Sequence, residues 1–189
     1  MSKIIGITGG IGAGKSVISN ILRALNFPVY DCDTEARNIM NHNVEIKQRI
    51  AAEITPEAIN TDGSINRMAI ANCVFSNKEK LQSLNSIVHG AVKAHFKYWC
   101  ESHSHQHKLL FVETAILYES GFDTLVDKIW EVTAPKEIRI QRVIKRNNIS
   151  CEDVIKRIEN QSTIQHTNHI PIVNDNNTPV IPQILKLLK

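Results

Sequence analysis

The feature that most constrains the fold is a glycine-rich stretch near the start of the 189-residue chain, KIIGITGGIGAGKSVISNIL. Between Gly9 and Ser16 it matches the pattern G-x-x-x-x-G-K-[ST] at every fixed position. An apolar run precedes the glycines and an amphipathic run follows them, which predicts a strand, a bare loop and a helix in that order. This context is typical of α/β proteins, in which helices cover a parallel sheet.

The residues of the loop indicate that it binds phosphate groups. Glycines tolerate unusual backbone angles and let several N–H groups approach a polyphosphate closely. The loop leads into the N-terminal end of a helix, which is electropositive. Lys15 adds a mobile positive charge for the β- and γ-phosphates, and the Ser16 hydroxyl can bind Mg²⁺. The sequence therefore predicts a site for a nucleoside triphosphate with Mg²⁺.

Two other classes of nucleotide-binding protein fit the sequence less well. A Rossmann dinucleotide site has glycines spaced G-x-G-x-x-G and has no role for a Lys-Ser pair at this point. A guanine-specific GTPase needs an Asn-Lys-x-Asp motif, but the Asn-Lys pair at Asn77 is followed by Glu79-Lys80. A small-molecule kinase needs an acid near the acceptor hydroxyl, a substrate subdomain and a basic lid, and the chain offers all three in order.

Short apolar runs alternate with helix-length segments, which predicts a five-stranded parallel sheet flanked by helices. The stretch between the second and third runs is too long for one crossover helix and predicts a helical insertion. A later helical stretch, 135–165, is rich in basic residues, and a charge cluster of this kind is by itself most simply a solvated helical face. The predicted strands are Lys3–Thr8, Pro28–Asp31, Leu109–Thr114, Lys128–Thr133 and Ile170–Asn174, and the basic positions are Arg139, Arg142, Lys145, Arg146, Lys156 and Arg157.

Acidic residues at strand ends are candidates for catalysis. Asp33 follows the second predicted strand, at the edge of the sheet where the glycine loop also begins. Its carboxylate can orient and deprotonate an attacking hydroxyl, although capping of the next helix is an alternative role for Asp31 or Asp33. Glu113 ends the third predicted strand, where it can assist Mg²⁺ or simply terminate the strand.

Composition argues against several other functions. The net charge of +3 is spread along the chain, so we expect neither a nucleic acid nor a membrane as a partner. Four widely spaced cysteines fit reduced, mostly buried thiols, and no leader or membrane-spanning run is present, so we expect a cytoplasmic protein. The histidines of Glu101–His107 could share a metal on a strand, but a solvated loop is the simpler interpretation. A monomer and a small homo-oligomer both remain open.

The ordered motifs resemble those of the dephospho-coenzyme A kinase family over nearly the whole chain. Beyond the glycine loop, the most specific are Asp-x-Asp-x-x-Ala-Arg at 31–37 and Leu-Asn-x-x-x-His at 84–89. The chain departs from the family pattern at Val17, Gly90, Ala115 and His169, which replace a hydroxyl residue, two prolines and an acid. The other matching segments are Asp62-Gly63 with Asn66-Arg67, Val74-Phe75, Leu117–Gly121, Gln141-Arg142 with Arg146, Arg157 with Gln161, and Ile172–Asn174.

The resemblance implies ATP-dependent phosphorylation of the ribose 3′-hydroxyl of dephospho-CoA, the last step of coenzyme A synthesis. It implies a single P-loop kinase domain, 1–189, with a helical substrate-binding insertion and a helical lid. A kinase for another small alcohol or nucleoside, and a P-loop switch that transfers no phosphate to a metabolite, are the alternatives. The expected parts are a core of residues 1–34, 108–135 and 168–189, an insertion at about 35–107, and a basic lid at about 136–167.

The resemblance also implies roles for individual residues. Asp33 is the expected general base, and Lys15 with Arg142 is expected to stabilise the transferring phosphoryl group. Ser16 is the expected Mg²⁺ ligand, with Glu113 as a further candidate. The residues expected to bind substrate are Thr8, Asp33, Arg37 and His89. Those expected to bind ATP are Gly10, Ile11, Gly12, Ala13, Gly14, Lys15, Ser16, Val17, Arg146 and Asn174.

Overall fold

The structure, a computed structural model, describes residues 2–161 and 169–189. Its chain forms two compact units, which we call the sheet unit, residues 1–30 and 103–189, and the helical unit, residues 31–102. Residues 162–167 of the expected lid and residue 168 of the expected core lie outside the described residues. The expected limits of core, insertion and lid stay predictions.

The sheet unit contains the predicted five-stranded sheet, with strand order β2-β3-β1-β4-β5. The central strand β1 pairs in parallel with β3 and β4, and β4 pairs in parallel with β5. The prediction of the strands is confirmed, because each one begins and ends within about one residue of its predicted limits. The strands are β1 Lys3–Thr8, β2 Val29–Asp31, β3 Leu109–Glu113, β4 Lys128–Thr133 and β5 Ile170–Val173.

An apolar core lies between these strands and their covering helices. Phe111 on β3 contacts Phe27 edge-on, with ring centroids 5.6 Å apart, and Trp130 on β4, at 5.3 Å. Ile18 and Leu22, four residues apart on the first helix, are completely buried, so one face of that helix packs on the sheet. The helices of the sheet unit are α1 Lys15–Ala24, α6 Lys136–Asn147, α7 Cys151–Glu159 and α8 Val180–Leu187.

The helical unit has its own core, made mainly of isoleucine side chains. Ile50 and Ile87 are among its most deeply buried members. The chain turns at Gly63, with φ of 79°, and the neighbouring Asp62 carboxylate accepts hydrogen bonds from the N–H and the hydroxyl of Ser64. The helices of this unit are α2 Cys32–His42, α3 Val44–Glu53, α4 Arg67–Phe75 and α5 Lys78–Ser104, whose last two residues are assigned to the sheet unit.

The structure differs from two expectations, one about a loop and one about the burial of the cysteines. The segment Glu101–His107 is not wholly a loop, because α5 continues to Ser104. The four cysteines are free, but they are not mostly buried: Cys32 is buried, Cys151 is exposed at the start of α7, and the others are intermediate. Within residues 2–161 and 169–189 no cluster of three metal-binding side chains occurs. In the same part of the chain, no helix is long and apolar enough to cross a bilayer.

Candidate active site

The glycine loop joins β1 to α1 at the carboxyl edge of the sheet. Its backbone has φ values of 144° at Gly9, 79° at Gly12 and 97° at Gly14, a region that side chains rarely allow. Gly14 is the N-cap of α1, and no described side chain caps the helix there. The first turn of α1 also contains no acidic residue. An uncapped, electropositive helix end of this kind is a site for an anion.

The glycines are also required by the protein groups that pack against the loop. A Cβ atom at Gly12 would lie 2.5 Å from the backbone oxygen of Arg139 on α6, which is far inside van der Waals contact. A Cβ atom at Gly14 would collide with the side-chain nitrogen of Asn174, the residue after β5. Close approach to phosphate is therefore only part of the reason for the bare loop, because the surrounding protein also fills the space of the missing side chains.

Two polar side chains hold the C-terminal half of the loop from outside. The Nδ2 atom of Asn174 donates to the Ala13 carbonyl at 2.9 Å, and a guanidinium nitrogen of Arg142 donates to the same oxygen at 3.2 Å. The other terminal nitrogen of Arg142 donates to the Asn174 carbonyl at 2.9 Å and to the Oδ1 atom of Asn176 at 2.5 Å. Arg142 and Asn174 thus connect α6, the end of β5 and the loop.

Arg139 and Gln161 hold the N-terminal half of the loop, and sequence reasoning did not select either as a site residue. The Nε atom of Arg139 donates to the Ile11 carbonyl at 2.8 Å, and a terminal nitrogen donates to the Oε1 atom of Gln161 at 3.2 Å. The same Gln161 oxygen accepts the Ile11 N–H at 2.7 Å. Burial lowers the pKa of the Arg139 guanidinium, which nevertheless stays charged. The sequence did offer one signal for Arg139: it lies one helical turn before Arg142, so both side chains share a face of the helix.

The proposed phosphate and metal groups lie at the same edge of the sheet. Lys15 begins α1, and its Nζ atom donates to the Gly9 carbonyl at 2.8 Å. Ser16 is exposed in the first turn of α1, and Thr8 is buried at the end of β1. Glu113 ends β3, paired with the penultimate residue of β1. The side-chain oxygen atoms of Ser16 and Glu113 are of the kind that binds a hard cation such as Mg²⁺.

Two of the expected ATP-binding residues have side chains that take no part in the described contacts holding the loop, although the Val17 N–H donates to the Gly14 carbonyl at 3.0 Å. Arg146 is exposed in the last turn of α6, and its Nε atom donates to the neighbouring Asn147 at 3.0 Å. Val17, in the first turn of α1, has 45% of its surface exposed. The structure thus brings Arg142 and Asn174 to the loop, whereas Arg146 is engaged with its own helix end.

The remaining expected residues belong to the helical unit. Asp31 is the N-cap of α2 and accepts a backbone N–H bond of 3.0 Å from its first turn, which settles the capping alternative in favour of Asp31. Asp33 is exposed one position inside the helix, and its carboxylate accepts no hydrogen bond from the described residues. Its carbonyl accepts the Arg37 Nε at 3.0 Å. His89 is partly buried on α5, and this burial lowers its pKa.

Comparison with known proteins identifies the family. The family model for CoaE, dephospho-CoA kinase, matches residues 3–180 of the chain. The chain belongs to the dephospho-CoA kinase family. A dephospho-CoA kinase of Bacteroides fragilis strain YCH46 is 37% identical over 187 residues, which cover 97% of this chain and 90% of the relative.

Solved structures share the fold of this chain. The crystal structure of TT1252 from Thermus thermophilus is 31% identical, with a TM-score of 0.82, and the alignment covers 99% of this chain and 96% of that one. A dephospho-CoA kinase from Campylobacter jejuni is 24% identical, with a TM-score of 0.72 and coverage of 100% and 96%. The second structure supports the fold.

Replacing Gly14 by Ala is expected to weaken ATP binding by about tenfold or more, because the new Cβ atom would strain the backbone and collide with Asn174. Isothermal titration calorimetry with ATP measures the effect. Gly63→Ala is the matched control, since Gly63 has a φ of 79° but nothing within 4 Å of its would-be Cβ. Unchanged ATP affinity in a folded Gly14→Ala variant would contradict the prediction.

Proposed function

We propose that this protein transfers the γ-phosphoryl group of ATP to the ribose 3′-hydroxyl of dephospho-CoA, giving coenzyme A and ADP. Membership of the dephospho-CoA kinase family, over residues 3–180, supports both the substrate and the reaction. The observation that carries the proposal in the structure is the glycine loop with Lys15 and Ser16, held in shape at the edge of the sheet. A loop of this form binds the triphosphate tail of a nucleotide.

The proposed reaction is an in-line displacement at the γ-phosphorus. The 3′-oxygen forms a bond to phosphorus while the bond to the β–γ bridging oxygen breaks, so that ADP leaves. The hydroxyl proton passes to the carboxylate of Asp33, whose exposure and lack of a described hydrogen-bond donor leave it available as a base. Lys15, the N–H groups of the loop and the helix end of α1 stabilise charge on the phosphoryl oxygens.

We further propose that ATP binds with Mg²⁺. The Ser16 hydroxyl would hold the ion, and Glu113 at the end of β3 would support it, since both offer the oxygen atoms that Mg²⁺ prefers. When bound, Mg²⁺ neutralises charge on the β- and γ-phosphates. The residues of the loop and of the helix that follows it, from Gly10 to Val17, then provide the rest of the triphosphate site.

The acceptor is proposed to bind through residues of the helical unit together with Thr8. Arg37 carries a charge suited to an anionic substrate such as dephospho-CoA, and it lies on α2 one turn after Asp33. His89, with its pKa lowered by burial, is neutral at pH 7 and would contribute a hydrogen bond. Arg146, in the expected lid, is proposed to approach ATP when the lid closes.

A coupled assay of ADP release tests the function. We expect rapid ADP production with dephospho-CoA and little with nucleosides or with no acceptor. Faster ADP release with a nucleoside would identify that nucleoside, and not dephospho-CoA, as the substrate. Nucleotide binding without any acceptor-dependent ADP production would instead favour a P-loop switch.

Replacing Asp33 by Asn should remove most of kcat while ATP binding stays within about twofold, because the base is lost but the glycine loop is intact. Asp31→Asn is the matched control: Asn also caps a helix, and the same charge is removed two residues away. Steady-state kinetics with dephospho-CoA and calorimetry with ATP separate the two effects. Unchanged kcat in Asp33→Asn would exclude Asp33 as the base.

Replacing Arg142 by Ala tests whether this residue acts on the transferring phosphoryl group. An arginine that acts there is expected to change kcat by factors of about 10³, more than it changes ATP affinity. In the structure its guanidinium is engaged with Ala13, Asn174 and Asn176, so a contact with phosphate requires it to leave some of these partners. Equal losses of kcat and ATP affinity would identify Arg142 as a binding residue.

A further inference from the structure

We propose that Arg139 is a positioning residue, which turns the peptide groups of the glycine loop toward the nucleotide by holding the Ile11 carbonyl on the outer side. The inference rests on the proposed function in taking the triphosphate of ATP as the anion. Arg139 lies in the first half of α6, and its contacts with the loop are made within the sheet unit.

The peptide group is planar, so the directions of its C=O and N–H are fixed relative to each other. In a trans peptide the C=O and the following N–H point in opposite directions, and the described chain contains no cis peptide. Because Arg139 holds the Ile11 carbonyl outward, the N–H of Gly12 must point to the inner side of the loop. The Ala13 carbonyl is held outward by Asn174, which turns the N–H of Gly14 inward in the same way.

The inward N–H groups have no hydrogen-bond acceptor in the part of the chain that the structure describes. Among residues 2–161 and 169–189, neither the Gly12 nor the Gly14 N–H donates to any protein acceptor. Backbone donors without acceptors at a positive helix end are suited to an anion, which here would be the triphosphate. The outer contacts of the loop therefore determine where its inner donors point.

Arg139 holds the N-terminal half of the loop through two paths. Its Nε atom contacts the Ile11 carbonyl directly, and its terminal nitrogen contacts Gln161, which in turn accepts the Ile11 N–H. Both polar backbone groups of Ile11 are thus fixed by one arginine and one glutamine. A planar guanidinium can make these two bonds from two separate nitrogen atoms, whereas the three N–H donors of an ammonium group all belong to one nitrogen.

The two halves of the loop are held separately. Arg139 and Gln161 hold Ile11, while Asn174 and Arg142 hold Ala13. Loss of Arg139 should therefore leave the second pair of contacts and the fold in place. The expected result is weaker nucleotide binding with little loss of the maximal rate, since Lys15, Asp33 and the half of the loop held at Ala13 stay unchanged.

Calorimetry on the full-length protein with MgATP alone, without dephospho-CoA, tests the proposal. Arg139→Met should raise the dissociation constant of ATP by about tenfold, the effect of losing a charge-assisted hydrogen bond. Lys145→Met is the matched control, because it removes one positive charge from an exposed position of the same helix. The control should bind ATP within about twofold of the parent protein.

Kinetics and a conservative variant distinguish positioning from general support of the fold. In Arg139→Met the KM for ATP should rise by about tenfold while kcat at saturating ATP stays within about twofold. Arg139→Lys should recover part of the ATP affinity. Gln161→Leu should weaken ATP binding, and adding it to Arg139→Met should cost less than the product of the two separate effects, since both residues act on Ile11.

Several results would overturn the proposal. Unchanged ATP affinity in a folded Arg139→Met protein would do so, as would an equal loss in Lys145→Met or fully multiplicative effects of Arg139→Met and Gln161→Leu. If Arg139→Met does not fold, Arg139→Lys decides, and full parental affinity in that variant contradicts the need for a guanidinium. Because binding of ATP is measured without an acceptor, a failure of dephospho-CoA as substrate would leave this test intact.

Discussion

The outward-facing carbonyl groups of the glycine loop are the constraint on which the rest of the site depends. Arg139, Arg142 and Asn174 occupy these carbonyls, and the peptide geometry then directs the N–H groups of Gly12 and Gly14 to the opposite side. The proposed phosphate site thus depends on packing of α6 and of the residue after β5 against the loop. A basic helix that would be solvated on its own becomes, in this fold, the outer wall of the proposed nucleotide site.

In the proposed mechanism, a structural role and a chemical role fall to two carboxylates of the helical unit that lie two residues apart in the sequence. Asp31 satisfies a backbone N–H at the start of α2, and this leaves the Asp33 carboxylate, in the same turn, without a structural task among the described residues. A helix start that follows directly on a strand at the carboxyl edge of a sheet is a favourable place for a reactive side chain. The proposed mechanism uses this division of roles.

The sequence predicted most of the fold because its strands are short apolar runs bounded by glycine, proline and polar residues. The loop was equally predictable, since its pattern specifies a strand before it and a helix after it. Arg139 was not predicted as a site residue, because its partners are a backbone carbonyl and a glutamine that is distant in sequence. The length of α5 was also missed, since polar histidine-rich ends of helices resemble loops.

The contact between Gly12 and α6 has a consequence for how such sequences are interpreted. The atom that a Gly12 side chain would meet is a backbone oxygen of Arg139, which no change of rotamer can move away. A pseudoenzyme descended from this fold would therefore retain that glycine for as long as α6 kept its place, even after losing all affinity for nucleotides. No such steric conflict would preserve Lys15 and Ser16. These two residues are therefore the better markers of a working enzyme.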